Sequence, residues 1–411
     1  MKRAVEAALL GFVLAGSAAA QRIDVSPTGR VRTIGAAVAA ATAGDTVIVH
    51  AGTYREPTVV VDKPLVLIGE GRPVLDGENR HGLISITAND VTVRGLVMRN
   101  VGTSFIEDRA ALLVTSARGC TIADNEVDNG FFGIYLANTT DCRVERNVLR
   151  ATGTRESLAG NAIHLWTSRR ITIVDNRIDG FRDGIYFEFV HDSDIHGNLS
   201  ENNLRYGLHF MYSDDCRYVG NTFRRNGSGV AMMFTKRVIM SGNRFEDNWG
   251  SAAYGLLFKE IYDATLDHNV FLRNTTGFFA DGANRVIATH NDFVDNGWAV
   301  KLEASTIDGR FEKNNFIGNT FDVVSNGHGQ STTFGGNYWD EYRGYDLNRD
   351  GVGDVPYRPV RFFSMLVAQN PPALILLRSA FVEMLDAAER VIPALTPENL
   401  VDSTPAMRRV Q

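Results

Sequence analysis

Val219-Gly220-Asn221-Thr222-Phe223, Ser241-Gly242-Asn243-Arg244-Phe245 and Thr289-His290-Asn291-Asp292-Phe293 share one pattern, an asparagine followed two places later by an apolar residue. Ala123-Asp124-Asn125-Glu126-Val127 and Val174-Asp175-Asn176-Arg177-Ile178 repeat it. The full series of anchors is Asn125, Asn147, Asn176, Asn198, Asn221, Asn243, Asn269, Asn291, Asn314 and Asn337, at intervals of 22, 29, 22, 23, 22, 26, 22, 23 and 23 residues. A fixed period of this size marks a repeat architecture. About eight residues after most anchors comes a second element: Gly133-Ile134-Tyr135-Leu136, Gly184-Ile185-Tyr186-Phe187, Gly207-Leu208-His209-Phe210, Gly229-Val230-Ala231-Met232 and Gly277-Phe278-Phe279-Ala280. Each repeat therefore holds two or three short alternating strands punctuated by Gly and Asn, with no segment long enough for a crossover helix. The expected fold is all-β, a parallel β-helix solenoid with coils of 22–23 residues. Stacked coils lie about 4.8 Å apart, so a repeated position becomes a ladder. Phe223, Phe245, Phe271, Phe293 and Phe316, continued by Trp339, should form one interior stack, and the asparagines a second, bonded amide to amide.

Composition fits this picture and excludes others. A length of 411 residues alone suggests two or three domains, but the anchors occupy the chain as one rod. With 44% hydrophobic and 22% charged residues the chain is globular rather than disordered. A net charge of −6 leaves no basic field for nucleic acid, and three cysteines do not make a disulfide scaffold. Lys2 and Arg3, the apolar stretch Ala8 to Gly16, and Ala18-Ala19-Ala20 before Gln21 have the order of a secretory signal peptide, residues 1–20. The apolar run is short for a membrane anchor, the alternative reading. The expected mature chain is a solenoid over residues 21–362 and a helical tail over 363–411. Ala-rich Thr33 to Ala43 reads as a helix capping the open first coil, and Thr152 to Gly160 as a loop projecting from one coil.

The start, Ile34-Gly35-Ala36-Ala37 through Gly44-Asp45-Thr46-Val47-Ile48-Val49 to Gly52-Thr53-Tyr54, followed by the anchored repeats, resembles the right-handed parallel β-helix superfamily. The ending is more specific: Gly336-Asn337-Tyr338-Trp339-Asp340, then Tyr345-Asp346-Leu347-Asn348-Arg349-Asp350-Gly351-Val352-Gly353-Asp354-Val355-Pro356-Tyr357, then a hydrophobic tail. Together these resemble the NosD family of periplasmic maturation factors for nitrous oxide reductase, over essentially the whole mature chain. The resemblance implies a non-catalytic periplasmic protein, peripheral to the membrane through an ABC transporter permease and ATPase. It also implies a copper chaperone and the reductase as partners, with copper, as transient copper(I), the metal handled.

Copper(I) prefers thioether and imidazole ligands. Alternation along the second strand turns Ile134, Leu136, Ile163, Leu165, Ile185, Phe187, Leu208, Phe210, Val230 and Met232 inward. His209 and Met211 then face outward together, with Met233 one coil above and His164 two coils below, about 10 Å away. The plainer alternative is that the methionines pack beneath a loop and the histidines are ordinary surface residues. His268 and His290 precede anchors and read as coil-to-coil neighbours rather than ligands. Cys120, Cys142 and Cys216 each lie five residues before an anchor, where Ile171 and Val238 stand in other coils, so they read as buried core. Cys120 and Cys142 sit on adjacent coils, although parallel in-register strands rarely give disulfide geometry. Asp346, Asn348, Asp350 and Asp354 match the opening of a calcium loop, but Tyr357 stands where a bidentate Glu is required, so a partial calcium site and a plain Asp/Gly turn both remain open. In the tail, Leu374, Leu377, Phe381, Leu385, Ala388, Ile392 and Leu395 are spaced for an amphipathic helix, which either caps the last coil or docks on the permease. The main rival function is a β-helix polysaccharide lyase, hydrolase or uronate epimerase, which needs carboxylates with Arg, Lys or His aligned across coils; the outward face shows mainly Tyr, His, Trp, Met and Glu188. A second rival, a passive structural or adhesive solenoid, would need neither the His/Met surface nor the apolar tail.

Overall fold

The computed structural model describes residues 20–104, 106–153, 155–326, 331–377, 379–391 and 400–411; the expected signal peptide falls outside them, apart from Ala20. The repeats close into a parallel β-helix in which every strand pairs in parallel with its counterpart one coil away. Each coil gives one strand to a thirteen-stranded sheet and its others to a long second sheet. In one coil the order is Arg217–Val219, the anchor Asn221, Thr222–Arg224 on the thirteen-stranded sheet, and then the strand that begins at Ser228. That last strand runs on to Ser241 through left-handed corners at Phe234 and Arg237, as Leu256–Asp267 in the next coil does at Glu260 and Asp263.

Two ladders fill the interior. Phe223, Phe245, Phe271, Phe293, Phe316 and Trp339 stack with ring centroids 5.7, 4.8, 4.7, 5.0 and 4.0 Å apart. The anchors form the other. Asn221 donates both its backbone N–H and its side-chain Nδ2–H to Oδ1 of Asn243, each at 3.0 Å, and gives a further Nδ2–H to the Ile195 carbonyl at 2.9 Å. The same triplet recurs from Asn125 to Asn337. Sequence reading overlooked a parallel series, Asn203, Asn226, Asn248, Asn274, Asn296 and Asn319, bonded amide to amide in the same way. Cys120, Cys142 and Cys216 are buried free thiols in the core, and burial pushes the Cys216 thiol up to about 12.

Both ends are covered. The helix α1, Ile34–Ala40, closes the first coils with Ile34, Ala37 and Val38, and the Glu56 carboxylate accepts the N–H groups of Ile34 and Gly35 at 2.8 Å each. At the far end residues 400–411 return to the last coils. Asp402, with no exposed surface, accepts from Asn337 N–H and Nδ2–H and from Trp339 Nε1–H, each at 3.0 Å, so a carboxylate terminates the amide ladder.

The tail is not one helix. It folds as α2, Phe362–Gln369, a 3-10 turn, Pro371–Leu376, and α3, Ala380–Val391, because Pro371 and Pro372 lack the N–H groups a continuous helix needs. Leu377 and Leu385 pack with Phe321, Phe363, Val367 and Val382, whereas Leu374 and Phe381 are exposed, and Ile392 lies outside the described residues. Tyr357, the twelfth residue of the acidic loop, rests against Trp339 with ring centroids 5.1 Å apart and is thus part of the end cap, not a ligand. Beneath α2, burial and then the Asp340 carboxylate push buried Asp322 up to about 7.

Replacing Asp402 by Ala strips the acceptor from three buried donors at about 1–3 kcal/mol each. Amide hydrogen exchange in Asp402→Ala should therefore accelerate first at Gly336 and Asn337; uniform acceleration along the rod would contradict a local end cap. Asp322 has the opposite linkage to a salt-bridged acid: the folded chain favours its protonated form, so this contribution is complete below 3.8 and is lost as pH rises through about 7. Thermal denaturation from about pH 5 to 8 should show that loss, and Asp322→Asn should flatten it.

Candidate functional site

Outward-facing places on the strands after the thirteen-stranded sheet form three adjacent ladders. The first is Tyr135, His164, Tyr186, His209 and Ala231; the second is Ala137, Trp166, Glu188, Met211, Met233 and Lys259. Their inward neighbours, from Ile134 through Met232, are fully buried as alternation requires. At the bend beyond, Phe189, Tyr212 and Phe234 adopt φ of +55°, +50° and +56° and stack at 5.2 and 5.1 Å, all three exposed. Bulky residues are disfavoured in this left-handed region. The face thus carries rings and thioethers, with the Glu188 carboxylate set between Trp166 and Met211.

The register brings His209, Met211 and Met233 together: the first two lie two residues apart on one strand, and Met233 is the direct partner of Met211 on the next coil. It does not bring His164 into that group. The Tyr186 ring stands between the histidines, 4.7 Å from His164 and 5.2 Å from His209. His164 is instead packed against Tyr135 at 4.3 Å and Phe132 at 5.1 Å, its Nδ1 3.0 Å from Asn161 Nδ2. Burial, and after it the charge of Arg182, holds its imidazole down at about 3, so it is neutral at any ordinary pH.

His209 is held by groups that sequence reading did not connect. Asp183, fully buried, accepts Nε–H of Arg205 at 2.8 Å and a second bond from the same guanidinium. Arg205 in turn places Nη2 3.3 Å from His209 Nδ1, whose distance to Asp183 Oδ2 is 3.7 Å. Burial raises the Asp183 carboxyl, but Arg205 and His209 outweigh it and hold the group below the usual carboxylate range. Tyr206 flanks the ring at 4.8 Å. The result is an imidazole fixed at Nδ1 while Nε2 is buried and has no hydrogen-bond partner. An unsatisfied buried nitrogen of this kind costs about 1–3 kcal/mol. With the ring proton on Nδ1, on the side of the Asp183 carboxylate 3.7 Å away, Nε2 presents a lone pair that a metal ion would satisfy. The only advance signal was position: Asp183 and Tyr206 both immediately precede the glycine of the second element.

The acidic loop behaves as a self-contained turn. Asp346 accepts N–H of Asp350 at 3.2 Å and of Gly351 at 2.9 Å, while Asp354 accepts N–H of Leu347 at 2.7 Å and Asn348 donates to Asp350 at 2.9 Å. Among the described residues no helix is long and apolar enough to cross a membrane.

A family model described as "Periplasmic copper-binding protein (NosD)" matches residues 149–344, which include His164, Asp183, Arg205, His209, Met211 and Met233. A "Probable ABC transporter binding protein NosD" of Pseudomonas aeruginosa is 32% identical over 365 residues, 85% of each chain. One of the same name from Stutzerimonas stutzeri is 28% identical over 375 residues, 87% of this chain and 86% of the relative. Among solved structures, the catalytic unit of a thermostable α-1,3-glucanase from Streptomyces thermodiastaticus has a TM-score of 0.62 at 17% identity, covering 78% of this chain and 69% of that one. The surface adhesin PfbA of Streptococcus pneumoniae gives 0.57 at 12% identity, with coverage of 82% and 98%. An enzyme and an adhesin share this architecture, so these likenesses establish the fold alone.

The environment of His164 yields a direct check. Its imidazole resonances in an NMR titration should stay fixed from about pH 5 to 8, where an exposed histidine moves through its transition. Titration near the ordinary value would mean that the Tyr135 and Tyr186 rings do not enclose it.

Proposed function

The chain belongs to the NosD family, and from that premise we propose that it is a periplasmic accessory protein that handles copper for the maturation of nitrous oxide reductase. In this reading it works beside an ABC transporter permease and ATPase, takes copper(I) from a copper chaperone and passes it on. The observation that carries the reading is the buried, partnerless Nε2 of His209 beside the register pair Met211 and Met233. One imidazole and two thioethers are a soft donor set that suits copper(I) over harder cations. Asp183 and Arg205 orient the ring, and the Asp183 carboxylate offsets the Arg205 charge that would otherwise repel the ion. His164, behind Tyr186, belongs to the wall of the site rather than to its ligand set. Leu374 and Phe381, exposed on the tail, are the apolar surface offered for docking on the permease.

A carbohydrate-active enzyme is the second reading, because Asp183, Arg205, His209 and Tyr186 gather on one outward face. The bidentate hold of Arg205 on buried Asp183 weighs against it, since that carboxylate is not free to exchange a proton with a substrate.

An anaerobic titration of the mature protein against a chromophoric copper(I) chelator separates the two. Copper(I) should bind stoichiometrically, and His209→Ala or Met211→Ala should weaken it by about ten- to a hundredfold, while His164→Ala changes it less. Absence of copper(I) binding both alone and with the transporter, or cleavage or epimerisation of uronate polymers by the isolated chain, would overturn the proposal.

A further inference from the structure

A second group of donor atoms lies on a different edge of the same rod. Leu257 holds the ladder place of His209 two coils on, and ten residues past Leu257 the strand ends at Asp267, followed by His268. One coil above stand Thr289 and His290, with Asp267 and Thr289 direct register partners. The two imidazoles stack at 4.9 Å between centroids, 19° from parallel. Asp267 lies against both: His268 Nδ1 is 2.8 Å from Oδ2, and His290 Nδ1 is 3.3 Å from Oδ1. Thr289 fixes the carboxylate by donating its hydroxyl to Oδ1 at 2.8 Å. Among the described residues, Asp267, His268 and His290 each offer one ligand atom, all within 4.8 Å of one another.

Sequence reading took these histidines for coil-to-coil neighbours. They are neighbours, and the Asp267 carboxylate joins them. Both occupy a left-handed place, φ +53° in each case, which glycine fills at Gly197, Gly220, Gly242 and Gly336. Two successive coils thus set an imidazole where four others need no side chain. The place below His268 is open, because a side chain at Gly242 would meet only the Gly220 backbone nitrogen at 4.0 Å. Above, Glu312 is the register partner of Thr289 and is paired with Arg310, while Lys313 holds the left-handed place that follows His290.

We propose that Asp267, His268 and His290 form a metal site for a borderline divalent cation, copper(II) or zinc(II), separate from the His209 and Met211 surface. Two imidazoles and one carboxylate form an N2O donor set that suits such cations and offers no sulfur to copper(I). Contacts of 2.8 and 3.3 Å are close to the spacing of ligand atoms around a tetrahedral ion, so the cation takes the place of the two N–H···O contacts. Each imidazole then carries its proton on Nε2, and no net proton need be released by a neutral ring. Three protein ligands leave one coordination position for water or for a group from another molecule.

The test uses the mature protein without a polyhistidine tag. Calorimetric titration with zinc(II), and electron paramagnetic resonance of added copper(II), should show one high-affinity equivalent with nitrogen hyperfine structure. That equivalent should disappear in the His268→Ala, His290→Ala double variant and weaken by about tenfold or more in Asp267→Asn. His268→Gly, the residue that other coils carry in this conformation, should keep the fold and still weaken binding, which separates ligand loss from unfolding. Met211→Ala and Met233→Ala should leave zinc(II) binding unchanged, so this site and the copper(I) surface fail or stand separately. Retention of the full equivalent in the double variant, or of unchanged affinity in His268→Gly, overturns the proposal.

Discussion

Everything in this molecule hangs on the buried asparagine amide. An amide has one acceptor oxygen and two donor hydrogens, and in the interior each must be satisfied. Stacking at the β spacing lets one oxygen take two hydrogens from the asparagine below while that residue's second hydrogen goes to a backbone carbonyl, and the motif then repeats. Such a chain tolerates little shift in register, because a one-residue slip would bury amides without partners and turn the Phe223 to Trp339 stack away from the core. The lateral position of every outward side chain follows from that lock. Met211 meets Met233 because Asn221 meets Asn243.

The site illustrates what a rigid ladder permits. No single coil contains a ligand set. His209, Asp183 and Met233 come from three successive coils, each of which presents one or two groups at fixed height. The strained exposed rings at Phe189, Tyr212 and Phe234 extend the same logic to the rim, where backbone conformations costly for such residues hold aromatic surface outward.

Periodicity made the fold legible, and its absence hid the rest. The anchor intervals by themselves disclose the coil, its inward residues and the aromatic stack. The second asparagine ladder was equally open to reading, since each member from Asn203 to Asn319 lies five residues after an anchor. Asp402 was not. It stands 65 residues beyond Asn337, outside any repeat, and only the folded tail reveals it as the terminus of the amide chain. Likewise the hold of Arg205 and Asp183 on His209 crosses coils, so no local motif announces it. In the tail the apolar spacing from Leu374 suggested one continuous helix, but Leu374 lies in the 3-10 turn Pro371–Leu376 and α3 begins only at Ala380.

The closure by Asp402 has a bearing on biogenesis. A chain that folds from its N-terminus can complete α1 and add coils one at a time, each templated by the last, but the growing end always shows unpaired strand edges and a half-satisfied amide. That end is sticky toward any other strand until Asp402 arrives. The interval of exposure is therefore set by the acidic loop and helices that lie between Asn337 and Asp402, whose described residues form no ladder of their own. A chaperone that shields nascent β-edges would find its longest task at this step, and a chain cut short within the tail would remain an open template for aggregation.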